Sequence, residues 1–115
     1  MIRVQLVFRK DGTLREMTVT GHSNLTEAGN DPVCAAVSVL VRTAVRTMET
    51  HDGLSIRYKA PEPGIVDVEI AAVPASEAEW LKGVSDMVFR GFRDLERDAP
   101  EHINVEEERS NRNGS

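Results

Sequence analysis

The chain is organised around residues 31–50, whose sequence is DPVCAAVSVLVRTAVRTMET. This stretch predicts a helix, because Asp31 is a favourable N-cap and Pro32 at the first helical position loses no hydrogen bond. The first half of the helix is apolar on nearly all sides, so we expect it to be buried. Arginines and threonines give the second half a polar side, and His51-Asp52-Gly53 is typical of a helix end.

Two predicted β-hairpins flank this helix. Residues 2–8 alternate apolar and polar side chains, an Asp-Gly turn follows, and residues 14–20 are predicted to return as a second strand. After the helix, residues 54–59 and 65–72 alternate in the same way on either side of a turn rich in proline and glycine. Each strand of the two predicted hairpins therefore has one apolar face that can pack against a common core.

The last third of the chain predicts a second helix and a short final strand. Ser76 and Glu79 have the spacing of a capping box, and an apolar stripe at helical spacing continues to about Asp98. Pro100 ends this helix, and residues 102–106 alternate as a strand does. The order β-β-α-β-β-α-β predicts an α/β fold of the α+β type, a two-layer sandwich with a mainly antiparallel sheet and two helices packed on one face.

Composition limits the class of function. A chain of 115 residues is long enough for one domain with its own core, and its single cysteine cannot form an intrachain disulfide. The net charge of −5 argues against broad binding to nucleic acid. No apolar run approaches the about 20 residues of a membrane span, and the N-terminus does not have the pattern of a signal peptide. We therefore expect a cytoplasmic protein that contacts neither nucleic acid nor membrane directly.

The residues around Cys34 suggest nucleophilic chemistry. Cys34 falls in the first turn of the predicted helix, where backbone N–H groups and the helix dipole favour a negatively charged sulfur and a developing oxyanion. His22 follows the second strand and can serve as general base and then general acid. Gly21 and Gly29 bracket the connecting loop and permit positive φ or close approach of a peptide. From composition alone, however, a lone cysteine among alanines and valines is more typical of a small buried core residue.

Asp31 and Ser38 each have two interpretations at this stage. Asp31 either orients the imidazole of His22 or only caps the helix, and its position favours the cap. Ser38, one turn after Cys34, either steadies the thiol or a substrate carbonyl, or bonds back to the carbonyl of Cys34. One cysteine and three scattered histidines lack the paired spacing of a metal site, so no metal is expected.

The residues Gly21-His22, Gly29, Asp31, Cys34-Ala35 and Ser38 together resemble the signature of the ribosomal-processing cysteine protease family, Prp. The resemblance extends over a single domain at residues 1–107, and we expect residues 108–115 to form a disordered tail.

This resemblance implies a homodimeric endopeptidase without a cofactor. Its substrate would be the short N-terminal extension of a bacterial large-subunit ribosomal protein, removed after a hydrophobic, Phe-containing motif as a step needed for ribosome assembly. In the family pattern Cys34 is the nucleophile and His22 the general base and acid, while Asp31 and Ser38 are supporting positions. The alternative is a ribosome-associated module that binds a peptide without cleaving it.

Overall fold

The computed structural model describes residues 1–21 and 31–109. The elements follow in the order β1 (Ile2–Phe8), β2 (Leu14–Thr20), α1 (Pro32–Glu49), β3 (Ser55–Glu62), β4 (Ile65–Ala72), a 3₁₀ turn (Ala75–Glu77), α2 (Ala78–Asp98) and β5 (Ile103–Arg109). The strands form one sheet in the order β3-β4-β2-β1-β5, in which only the β1–β5 pair is parallel. The predicted α+β fold and its order of elements are confirmed.

The core lies between one face of the sheet and both helices. Successive side chains of a strand point to opposite faces, so β1 buries Ile2, Val4 and Leu6 while Arg3 and Gln5 stay exposed. The helices add apolar stripes to the same cluster. Their buried members are Val33, Val37, Val41, Ala44, Val45, Met48, Leu81, Val88 and Phe92. Neither helix among the described residues has the length and apolar character that a membrane crossing needs.

The first half of α1 is not buried on all sides, which corrects the expectation from its composition. Val33, Val37 and Val41 face the core, but Ala35 is exposed and Val39 keeps 52% of its surface accessible. The reason is the two-layer architecture, in which the sheet covers only one side of a helix. Apolar composition therefore overestimated how much of α1 is covered.

The predicted capping box at the start of α2 does not form. The helix begins at Ala78 after the 3₁₀ turn, and Glu77 occupies the N-cap position without a side-chain capping bond. The Glu77 carboxylate accepts a hydrogen bond from Ser76 Oγ at 3.1 Å and pairs with the His51 ring instead. His51 in turn stacks on Trp80, with ring centroids 3.5 Å apart. This cluster joins the end of α1 to the start of α2.

β5 is longer than the sequence pattern predicts. It continues to Arg109, past residue 106 and past the domain boundary expected at residue 107. Backbone pairing with β1 needs no apolar side chains, and it runs in parallel from Ile103 opposite Ile2 to Arg109 opposite Phe8. The Arg109 guanidinium also lies 4.4 Å from the centroid of the Phe8 ring, which holds the strand end in place.

Candidate active site

Asp31 fixes the start of α1 and therefore the backbone of Cys34. It has extended dihedral angles (φ −90°, ψ 110°), and its Oδ1 accepts hydrogen bonds from the N–H groups of Val33 at 2.9 Å and Cys34 at 3.1 Å. Pro32 occupies the first helical position, and Asp31 is only 7% exposed. The prediction that Asp31 caps the helix is confirmed, and the half-buried Cys34 lies in the first turn.

The backbone donors of this first turn are already engaged. Val33 and Cys34 donate to the Asp31 carboxylate, Ala35 N–H donates to the Asp31 carbonyl oxygen at 3.0 Å, and Pro32 has no N–H. Because these groups donate to Asp31 in this arrangement, their expected role in stabilising an oxyanion stays a prediction. What the helix start supplies to Cys34 is position and the field of the helix dipole.

Gly21 ends β2 at the same end of the sheet as Cys34. Its φ is +91°, and its N–H donates to the carbonyl oxygen of Gly64 at 2.8 Å. A Cβ at this position would lie 2.3 Å from the carbonyl oxygen of Met1, which no side chain can accept. The expectation of positive φ at Gly21 is confirmed, and only glycine fits this close approach.

His22 and Gly29 lie outside the described residues. The pairing of His22 with Cys34 therefore stays a prediction, as does the role of Gly29. Ser38 is exposed one turn after Cys34, and both residues line the same cavity. The structure thus brings Gly21, Cys34 and Ser38 together in the lining of one cavity, and Asp31 caps the helix that carries Cys34 and Ser38.

The cavity beside Cys34 has a volume of about 570 Å³ and lies between α1 and the sheet. Its apolar lining residues are Ile2, Val19, Val37, Val41, Val45, Tyr58 and Val66. Tyr58 pairs with the buried Val68 across the β3–β4 ladder, so its ring is on the helix side of the sheet. That ring is nevertheless 49% exposed, because α1 does not cover β3 there. Apolar walls and this volume are typical of a ligand-binding site.

Sequence reasoning missed the polar rim of this cavity. Arg42, Arg46 and Glu49 of α1 line it together with Ser38. The sequence does contain a signal for Ser38, Arg42 and Arg46, because they follow Cys34 at intervals of four residues and neighbouring residues at that spacing lie on the same side of a helix. The contribution of Tyr58 depends instead on the register between β3 and β4, which the local sequence pattern does not show.

A cluster of carboxylates lies on the opposite face of the sheet. Oxygens of Glu16, Asp67 and Glu69 lie within 4.8 Å of one another, the only such group among the described residues that could hold a metal ion. Burial raises the pKa of Glu16, and a hydrogen bond to Asp67 and the charges of Asp67 and Glu69 raise it further. The sheet separates this cluster from Cys34, so we assign it no part in the candidate site.

A cysteine at a capped helix start, beside an apolar cavity of peptide size, is an arrangement typical of thiol-dependent peptide hydrolases. Comparison with protein families is more specific. The model of the family "Cysteine protease Prp" matches residues 1–104, and the chain therefore belongs to this family of cysteine proteases.

Solved structures share this fold. A ribosomal processing protease Prp from Staphylococcus aureus, in complex with a covalently linked product peptide, has a TM-score of 0.81 at 18% identity, covering 94% of this chain and 100% of that one. SMU.848 from Streptococcus mutans has a TM-score of 0.77 at 25% identity, covering 96% of each chain. The S. aureus protease in complex with a substrate peptide has a TM-score of 0.75 at 16% identity, with coverages of 94% and 100%. A search of curated proteins found no match.

Proposed function

We propose that this protease removes the short N-terminal extension of a bacterial large-subunit ribosomal protein, a step needed for ribosome assembly. The observation that carries the proposal is the position of Cys34, at a capped helix start and at one end of a peptide-sized apolar cavity. Membership of the Prp family supports it, as does the likeness to an S. aureus protease described as an essential ribosomal processing enzyme. Family membership also favours an enzyme over a binding module.

The proposed mechanism uses Cys34 as nucleophile and His22 as general base and acid. The Cys34 thiolate attacks the scissile carbonyl carbon, and the electron pair of the C=O bond moves onto oxygen. When the tetrahedral intermediate collapses, the C–N bond breaks and protonated His22 gives its proton to the leaving amine. His22 then takes a proton from water, which attacks the thioester and releases the new carboxylate and the Cys34 thiol. No metal or cofactor enters these steps.

Asp31 and Ser38 support the reaction in this proposal without joining it. Asp31 caps the first turn of α1, so it fixes the position of the Cys34 backbone relative to the cavity. Ser38 presents an exposed hydroxyl one turn further along the same face, within the cavity that a substrate carbonyl would enter. Gly21 and Gly29 would let the substrate backbone approach closely. We further propose that the enzyme works in the cytoplasm as a homodimer, which sedimentation velocity can test.

The direct test is cleavage of the extended ribosomal protein from the same organism, followed by intact mass. We expect one N-terminal truncation with the wild type and none with Cys34→Ser or Cys34→Ala. His22→Ala should lose at least about a hundredfold in kcat/KM, the contribution of a general acid or base. His51→Gln is the matched control, because it replaces a histidine at the other end of α1 and should keep full activity.

Rapid alkylation of Cys34 at neutral pH provides a second measurement that needs no substrate. A nucleophilic cysteine should react with iodoacetamide in the folded protein and slow down in His22→Ala. Cleavage that persists in a folded Cys34→Ser protein would show that another group is the nucleophile. If Cys34 reacts only after the protein unfolds, it is a core residue rather than a nucleophile.

A further inference from the structure

We infer that the peptide substrate carries an acidic side chain about four to five residues from the scissile bond, and that Arg42 and Arg46 bind it. The inference rests on the proposed function, because it takes Cys34 as the point of cleavage. It assigns to these two arginines a role in specificity rather than in the chemical step.

The cavity follows one face of α1 along most of the helix. Cys34, Ser38, Arg42 and Arg46 recur every four residues along its rim, and Glu49 lies at the far end. Val37, Val41 and Val45 form the apolar wall just inside this rim. A peptide that leaves Cys34 along the cavity therefore meets apolar surface on one side and charged side chains on the other.

The distances from Cys34 to Arg42 and Arg46 along the helix predict which substrate residues the two arginines would contact. A helix rises about 1.5 Å per residue, so Arg42 lies about 12 Å and Arg46 about 18 Å from Cys34 along the axis. An extended peptide advances about 3.3 Å per residue, so these distances correspond to about four and five residues of substrate. The whole face from Cys34 to Glu49 spans about 22 Å, enough for about seven residues.

Arg42 and Arg46 carry exposed positive charges on this rim. Neither side chain forms an ion pair within the described part of the chain, whereas Arg93 pairs with Glu96 and Arg97 with Asp94. Two exposed guanidinium groups one turn apart thus face the opening of an apolar cavity in a protein of net charge −5. Guanidinium groups bind carboxylates through paired hydrogen bonds, so the ligand that fits this rim is a substrate glutamate or aspartate.

The test uses synthetic peptides based on the N-terminal extension, in which one glutamate is moved position by position and each peptide has a glutamine counterpart. We expect glutamate at about the fourth or fifth position from the cut to lower KM by roughly two- to fivefold at unchanged kcat, the pattern of a remote binding contact. Arg42→Gln and Arg46→Gln should abolish this preference. Arg90→Gln, an exposed arginine on α2 with the same change in net charge, should keep it.

The outcomes separate this inference from the proposed function. Cleavage without a preference for glutamate, or a preference that Arg90→Gln removes equally, would overturn the inference and leave the protease activity intact. If no peptide is cleaved, the proposed function fails, and fluorescence anisotropy of the same peptides with the Cys34→Ser protein decides the inference. Tighter binding of glutamate peptides that depends on Arg42 supports it, while equal or absent binding overturns it.

Discussion

Asp31 offers a sharp test of how the start of α1 is held. Its Oδ1 accepts two backbone hydrogen bonds, from Val33 and Cys34, in a nearly buried position. Replacing an N-cap aspartate by alanine costs about 1 kcal/mol, and loss of the charge at the positive end of the helix dipole adds about 0.5 kcal/mol. Asparagine keeps the acceptor and loses only the charge, so Asp31→Asn should cost about 0.5 kcal/mol.

Thermal unfolding measures both variants. For a domain of this length, 1 kcal/mol corresponds to about 4 °C in the unfolding midpoint, so Asp31→Ala should unfold about 6 °C below the wild type and Asp31→Asn about 2 °C below. Because Asn preserves the first turn and the position of Cys34, its kcat/KM should stay within about tenfold of the wild-type value. Asp31→Ala should lose more activity, since fraying of the first turn displaces the sulfur.

Two results would refute this reasoning. Equal destabilisation by Ala and Asn would mean that the charge of Asp31, rather than its capping oxygen, holds the helix start. A normal stability of Asp31→Asn together with a loss of about 10⁴-fold in kcat would be the behaviour of a carboxylate that orients a catalytic histidine. Capping would then be only part of what Asp31 does.

Further predictions concern stability. Gly83→Ala should raise the free energy of unfolding by about 0.5–1 kcal/mol, because the glycine is inside α2 and a Cβ there meets nothing within 4 Å. Gly91→Ala should raise it by less than Gly83→Ala does, because its Cβ would lie 2.8 Å from Leu40 Cδ2 and the half-buried Leu40 side chain must shift to admit it; an equal gain at both sites in urea unfolding would contradict this. Since the raised pKa of Glu16 makes its contribution to stability largest when it is protonated, stability should fall as pH rises through that pKa, above the ordinary value of 4.5. Glu16→Gln should therefore be more stable than the wild type at pH 7 and lose this advantage in acid, and an advantage that persists in acid would rule out the role of charge.

Local sequence signals predicted what local physics controls. Asp31 and Pro32 define a helix start by their own hydrogen-bonding and dihedral preferences, and the structure has both where the sequence puts them. The alternation of residues 2–8 likewise fixes which side of β1 is buried. These features need no knowledge of distant residues, so the fold and the place of Cys34 in it were accessible from the sequence.

The failures come from tertiary context. The capping box predicted from Ser76 and Glu79 does not form, because Ser76 Oγ donates to the Glu77 carboxylate, which also pairs with the ring of His51. No sequence pattern relates Glu77 to His51, 26 positions apart. The residues at the end of β5 look like a charged tail, yet pairing with β1 keeps them in the sheet. Val39 is a typical core residue by type and yet is exposed, because the sheet covers only one side of α1. Each of these predictions was wrong because it applied a local rule where the tertiary structure decides the outcome.

The two edges of the sheet differ in a way that bears on how a peptide reaches Cys34. At β5, the carboxylate of Glu96 accepts from the Val105 N–H at 2.7 Å and Arg93 donates to the Val105 carbonyl at 2.9 Å, so side chains of α2 occupy the backbone groups of Val105 on that edge. Within residues 1–21 and 31–109, β3 pairs only with β4, and Tyr58 on its helix-side face is exposed in the cavity. An unpaired edge binds extended peptides and a covered edge resists them. Among the described strands, β3 is therefore the edge that is open to an extended peptide, and its residue Tyr58 lines the same cavity as the rim of α1.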